Sequence, residues 1–257
     1  MSLAQSLVVS NARSRLRGAL SIVGREALRI VLPSWCAACE SELPWRERTS
    51  SCCASCWASL PRITTAKCRS CAQPAPVAGL EGFTCLDCLT DPLPVDWCEA
   101  WGEYRGSLEH LLRALKFRRH DFLAGALSSL LEETLRARDD LAFDAIVPVP
   151  MPRARERRRG YNQAGLLADA LSRRLGIRCD ATLLARPVEG GTQSTLPKRQ
   201  RAGNVRGAFT ASTLVKGTSI LLVDDISTTG ETIRACASAL RAAGASRVCA
   251  IAVAKAS

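Results

Sequence analysis

Ile220-Leu221-Leu222-Val223-Asp224-Asp225-Ile226-Ser227-Thr228-Thr229-Gly230-Glu231-Thr232 reads as a buried strand that ends in two carboxylates and passes through a small-residue loop into a helix. Loops that leave strand C-termini and open helices expose backbone N–H groups at the positive end of the helix dipole, a setting suited to a phosphate monoester. Thr228, Thr229 and Thr232 add hydroxyl donors, and Gly230 lets the backbone approach a ligand. The carboxylates of Asp224 and Asp225 cannot serve that phosphate. They suit the vicinal hydroxyls of a ribose, or a bound Mg2+. An ordinary capped helix also uses Ser and Thr, but the full string of apolar run, paired acids, paired threonines and glycine goes beyond that.

The elements around this stretch alternate between strand and helix. Ala145-Ile146-Val147, Ser219 to Val223 and Val248 to Val253 are apolar runs; Asn162 to Leu175 and the stretch after Thr229 have helical spacing. The alternation predicts a parallel sheet and an α/β domain. Upstream, Ser107 to Phe117 places Leu108, Leu111, Leu112 and Leu115 on one helical face, and Phe122 to Leu135 reads as a further helix. Gly190 to Gly207 has little periodicity and is too long for an ordinary connector, so it is expected to be a mobile functional loop.

Basic residues cluster in two places. Arg153, Arg155, Arg157, Arg158 and Arg159 stand against Glu156 alone between Met151 and Gly160, a loop after a strand end suited to a diphosphate or a nucleic-acid backbone, or else a solvated basic turn. Residues 190–223 contain no acid, and Lys198, Arg199, Arg201 and Arg206 lie within the long loop. The net charge is +11, and residues 99–257 hold 25 basic against 16 acidic side chains, so the C-terminal part is the one drawn to phosphates. Lys116, before Phe117, reads as a snorkelling surface lysine first and a phosphate contact second. His110 and His120 lack metal spacing, no Ser-His-Asp or Cys-His arrangement is visible, and the few aromatics form no base-stacking platform.

Of 13 cysteines, ten fall between Cys36 and Cys98. Four Cys-x2-Cys knuckles, Cys36/Cys39, Cys53/Cys56, Cys68/Cys71 and Cys85/Cys88, are separated by thirteen, eleven and thirteen residues. Such a knuckle aims two thiolates at one point, and two knuckles complete the tetrahedral set that zinc prefers. Two closed structural zinc sites are expected, paired sequentially or cross-braced; the repeated thirteen-residue spacing favours sequential pairing. Cys52 is an alternative ligand to Cys53. Cys179, Cys236 and Cys249 sit in apolar settings typical of buried thiols.

The chain's 257 residues are 47% apolar, enough for a real core, and no apolar run approaches the roughly 18 residues of a membrane span. Residues 1–35 form a basic amphipathic helix pattern, with Leu16, Leu20, Val23, Ala27 and Ile30 on one face. It is expected to pack on the protein, with peripheral contact to an anionic membrane as the alternative. The start lacks the features of a signal peptide, and the cysteine pattern fits a reducing compartment, so a cytoplasmic location is expected.

Residues 220–232 resemble the signature of the type I phosphoribosyltransferases for 5-phosphoribosyl 1-diphosphate (PRPP). Val147-Pro148-Val149-Pro150, Arg159-Gly160-Tyr161-Asn162-Gln163-Ala164, Leu115-Lys116-Phe117 and the Gln193 to Phe209 stretch, together with the cysteine knuckles, are similar to the ComF family. That resemblance covers residues 36–254, leaving out the basic helix read over 1–35, and implies a double zinc ribbon over 36–98 and a Rossmann-like phosphoribosyltransferase domain over 99–257. It further implies that Asp224 and Asp225 hold the ribose 2′- and 3′-hydroxyls, that Thr228, Thr229, Gly230, Glu231 and Thr232 wrap the 5′-phosphate, and that Mg2+ accompanies PRPP. Arg157, Arg158 and Arg159 would face the diphosphate, with Lys198 and Arg201 on a closing loop. Thr228 stands where purine-salvage enzymes carry an Asp, which argues against their acceptor chemistry. The implied role is a PRPP-binding protein linked to DNA uptake and natural transformation, with competence DNA-processing partners; the alternative is a non-catalytic module that binds single-stranded DNA or senses PRPP.

Overall fold

The computed structural model describes residues 35–44, 47, 51–77, 79–117, 122–186 and 208–256. The expected N-terminal helix, His120 and the Gly190 to Gly207 loop lie outside the described residues. The chain divides into two compact units, Met1–Ser59 and Leu60–Ser257. No helix among the described residues is long and apolar enough to cross a membrane.

In the first unit an antiparallel bridge between Trp35 and Glu42 closes the first cysteine knuckle into a tight turn, and the Ala37 N–H donates to the Ser51 carbonyl at 2.9 Å. Helix α1 (Ala54–Ala58) follows, with Cys53 as its N-cap and the Cys53 Sγ accepting from the Cys56 N–H.

The second unit begins with the other knuckle pair and helix α2 (Leu86–Thr90), for which Cys85 is the N-cap. Strand β1 (Trp97–Glu103) leads to helices α3 (Gly106–Phe117) and α4 (Leu123–Arg136). Strand β2 (Ala145–Pro148), helix α5 (Arg153–Arg159) and helix α6 (Gln163–Leu175) come next. The short antiparallel pair β3 (Leu184–Ala185) and β4 (Thr210–Ala211) precedes β5 (Ser219–Ser227), helix α7 (Glu231–Ala242) and β6 (Arg247–Lys255).

The main sheet has the order β1-β6-β5-β2, and every pairing in it is parallel. Its central strands are apolar on both faces, as a sheet covered twice requires. Ile220 and Leu222 of β5, Val248 and Ala250 of β6, and Cys98 and Ala100 of β1 pack in one buried cluster with Ile233, Cys236, Ala237 and Leu240 of α7. Cys68, Cys71, Ala72, Cys88 and Leu93 join that same cluster, so the second ribbon is part of the domain's core. Leu108, Leu111, Leu112 and Leu115 of α3 are fully buried, as their spacing predicts. The outer edge of β1 is covered by residues 61–69: the Ile63 N–H donates to the Trp101 carbonyl and the Cys98 N–H to the Arg69 carbonyl, both at 3.1 Å. Gly102 permits this approach, since a Cβ there would meet the Pro61 oxygen at 2.7 Å.

The Arg-rich segment is a helix rather than the expected loop. Pro152 at its start and Gly160 beyond its end, with φ of 90°, supply a start and a stop, and arginine is a good helix former.

Candidate functional site

β2 ends at Pro148, in register with Val223 of β5, and the Val149 N–H donates to the Val223 carbonyl at 2.9 Å. β5 does not end in the two acids as its sequence suggests: it carries them past the end of β2, pairs with β6 alone and stops at Ser227. Asp225 is 3% exposed, and Asp224 is half-buried. A buried carboxylate needs compensation, and Asp225 has it: the Lys116 Nζ lies 2.7 Å from Oδ2, and the Gln163 amide donates to Oδ1 at 3.3 Å. Gln163 in turn accepts from the Arg159 guanidinium through its Oε1. One carboxylate thus draws together the last turn of α3, the start of α6 and the end of α5.

The α6 N-terminus is fixed by its own sequence. Asn162 caps it by accepting from the Ala164 N–H at 3.1 Å, and its amide donates to the Val149 carbonyl at 3.0 Å. The Tyr161 hydroxyl donates to the Leu115 carbonyl at 2.5 Å, which locks the turn carrying Lys116. The Asp225 N–H donates to Asp224 Oδ1 at 2.8 Å. Burial, followed by the neighbouring Asp225 charge, pushes the Asp224 carboxyl well above the usual carboxylate range, with Lys116 opposing.

After β5 the chain turns through Thr228 and Thr229, both exposed, into α7. Gly230 has φ of 82°, and a Cβ there would meet Leu93 at 3.2 Å. The turn demands glycine on both counts. The Lys255 ammonium, 3% exposed, donates to the Thr228 carbonyl, so the loop is held from below. At the start of α7 the Glu231 N–H donates to Thr229 Oγ1 at 3.5 Å, and the N–H groups of this first turn have no acceptor within the helix itself.

Of the described arginines predicted for the site, Arg159 alone is half-buried and reaches Asp225 through Gln163; burial depresses its pKa. Arg153, Arg155, Arg157 and Arg158 are exposed on α5. Lys198 and Arg201 lie outside the described residues. Lys116 departs from the surface reading: its side chain is 20% exposed and paired with the buried acid. Gln163 and Lys255 were not singled out by sequence. Gln163 had a signal in its place beside Asn162 in the Arg159 to Ala164 stretch, whereas Lys255 is a lone cation at the end of an apolar strand. His110 is exposed, as expected.

The knuckles group sequentially. Cys36, Cys39, Cys53 and Cys56 form one cluster and Cys68, Cys71, Cys85 and Cys88 the other, with all Sγ atoms in each within 4.8 Å of one another. Four thiolates on a zinc ion with Zn–S of about 2.3 Å sit about 3.8 Å apart, and Cys39 to Cys53 is 3.9 Å and Cys71 to Cys85 is 3.6 Å. N–H groups of Ala38 and Cys53 point at the Cys36 Sγ, both at 3.4 Å, as suits a thiolate. Both donor sets fit structural zinc. Cys52 is buried and outside both clusters, so it does not replace Cys53. Cys236 and Cys249 are fully buried; Cys179 is only half-buried, because it lies on an isolated bridge to Ile146 at the sheet edge.

Comparison with known proteins agrees with this architecture. The phosphoribosyl transferase domain model matches residues 161–257, and the double zinc ribbon domain model matches residues 27–89. The DNA utilization protein YhgH of Escherichia coli O6:H1 is 37% identical over 70% of this chain and 80% of its own length. Competence protein F of Haemophilus influenzae is 31% identical over 64% of this chain and 75% of its own. Competence protein ComFC of Bacillus subtilis is 28% identical over 77% and 85%. With two four-cysteine clusters ahead of a parallel sheet that carries paired acids and a glycine turn, and with relatives that match over most of their length, the chain belongs to the ComF family of phosphoribosyltransferase-domain proteins.

Proposed function

We propose that the chain binds PRPP at the C-terminal end of β5 and works in the handling of single-stranded DNA. The observation that supports this most is the juxtaposition of the Asp224–Asp225 pair with a glycine turn that opens α7. In this reading Asp224 and Asp225 accept from the ribose 2′- and 3′-hydroxyls, and the N–H groups and hydroxyls of Thr228 to Thr232 receive the 5′-phosphate. Lys116 and Gln163 hold Asp225 in place. Magnesium would enter with the diphosphate and offset charge on the leaving group; the Asp224 oxygens suit such an ion.

Departure of diphosphate from C1′ leaves an oxocarbenium-like centre, and stabilising the departing charge is the main work such a site does. Arg157, Arg158 and Arg159 on α5, with Lys198 and Arg201, are assigned to that charge. No residue identifies the acceptor. Calorimetric titration of PRPP into the wild-type chain and into the Asp224→Asn/Asp225→Asn variant tests the reading: binding in the first and none in the second is expected, and equal affinity in a folded double variant overturns it.

A second reading is favoured by one observation, the exposure of four arginines on a seven-residue helix beside the site, and by relatives described as DNA utilization and competence proteins. Here α5 and the loop from Lys198 to Arg206 neutralise DNA phosphates, with or without turnover of PRPP. Counterion release makes such binding fall steeply with salt. Changing Arg157, Arg158 and Arg159 to Ala should flatten that dependence, and an unchanged slope removes α5 from the DNA surface.

A further inference from the structure

We infer that the second zinc ribbon is a positioning element for the phosphate loop, acting through Leu93 and Arg234. The inference rests on the phosphate-binding reading of Thr228 to Thr232 and adds what sets that loop's geometry.

The connection runs through consecutive contacts. Cys85 and Cys88, half of the second cluster, are the N-cap and a buried residue of α2. α2 ends at Thr90, and its last carbonyls need donors from elsewhere. Arg234, in the first turn of α7, supplies donors just beyond that end: Nη2 donates to the Asp91 carbonyl at 2.7 Å, and Nη1 to the Pro92 carbonyl at 2.9 Å and to Asp91 Oδ1 at 3.0 Å. Its side chain is 16% exposed, so these are sheltered, charge-assisted bonds. The next residue, Leu93, is 5% exposed and covers Gly230, the left-handed turn of the loop, at the 3.2 Å that a Cβ would meet. Ile233 of α7 shares the buried cluster with Cys68, Cys71, Cys88 and Leu93. The segment that carries two zinc ligands therefore braces one side of the phosphate loop, while Lys255 holds Thr228 from another.

Zinc bound at this cluster fixes α2, whose five residues cannot hold a helix alone. Without it, Asp91 to Leu93 lose their anchor, and the loop loses the surface that keeps Gly230 and the first N–H groups of α7 in place. Phosphate affinity then falls with zinc occupancy of the second ribbon. Arg234 and Leu93 are positioning residues, with no contact to ligand required.

Hydrogen exchange of the full zinc-loaded chain, measured without any ligand, tests this. Arg234→Gln and Leu93→Ala should speed exchange of the amides from 234 to 237, the first of α7 to bond back onto the turn and its opening residues, by about tenfold or more while keeping the zinc content of the wild type. Arg241→Gln removes the Asp96 ion pair from the far end of the same helix and should leave those amides unaffected. Cys88→Ser should match or exceed Arg234→Gln. PRPP titration of the same variants should show weaker binding in the order of their exchange rates. Unchanged exchange of these amides in both Arg234→Gln and Leu93→Ala overturns the inference, whatever Cys88→Ser does to folding. Equal acceleration by Arg241→Gln overturns it as well, since the effect would then be general loosening of α7. Failure of the wild type to bind PRPP would instead count against the functional reading and leave the exchange result standing.

Discussion

The Lys116 ammonium lies 2.7 Å from the Asp225 carboxylate, with side chains 20% and 5% exposed. A lysine from the last turn of α3 thus neutralises one of two adjacent acids at the end of β5 before any ligand arrives. Removing one partner of a buried pair leaves an uncompensated charge, which costs far more than the pair itself gains. Lys116→Met should therefore lower unfolding free energy by about 3 kcal/mol in urea denaturation, and adding Asp225→Asn should restore most of that loss. A single-variant cost below about 0.5 kcal/mol, the range of surface substitutions, would show that the pair carries no such strain.

Asp224 sets a pH dependence. Its carboxyl is held well above the usual range by burial and by Asp225, so the folded chain binds that proton more tightly than the unfolded chain does. The resulting stabilisation is present below the unfolded value of about 3.9 and is lost as pH rises through the raised folded value. Asp224→Asn should gain stability relative to wild type as pH rises above about 4, as read by chemical denaturation at each pH. PRPP affinity of the wild type should run the other way and rise with pH, because in the proposed site it is the ionised acid that holds the diol. A stability difference that is flat with pH contradicts the assignment.

Both the fold and the ligand groups of the cysteines are legible in the sequence because their signals are local. Ile220 to Val223 is an apolar run, Gly230 meets a backbone need, and each Cys-x2-Cys is a turn that carries its own geometry. Lys116 is not legible: its partner is on β5, and only the three-dimensional packing of α3 against the sheet makes it more than a lone cation. The same holds for Arg234, whose acceptors at Asp91 and Pro92 lie far back along the chain. The helical state of Arg153 to Arg159 was signalled by Pro152 and Gly160, but seven residues with no apolar face give no periodicity to read.

The two neighbouring cysteines at 52 and 53 should separate cleanly. Cys53 belongs to the first cluster and Cys52 does not, so elemental analysis should find the wild-type complement of two zinc ions in Cys52→Ser and one fewer in Cys53→Ser. Loss of zinc from Cys52→Ser would reassign the ligand.

Gly230→Ala tests the turn. The left-handed backbone and the Leu93 contact at 3.2 Å together should cost about 1–3 kcal/mol and weaken phosphate binding. Gly165→Ala, on a helix where a Cβ meets ordinary contact distances of 3.5 Å or more, should not destabilise. Equal stability of Gly230→Ala and wild type by thermal denaturation would show that the turn relaxes freely.

The most direct test of a PRPP site is calorimetric comparison of PRPP, ribose 5-phosphate and inorganic diphosphate on the wild-type chain. A site built from a diol-binding acid pair and a phosphate loop should bind PRPP tightest, retain ribose 5-phosphate more weakly, and bind diphosphate weakest of the three. Diphosphate binding as tightly as PRPP, with ribose 5-phosphate silent, would contradict the account and leave a surface that reads charge alone.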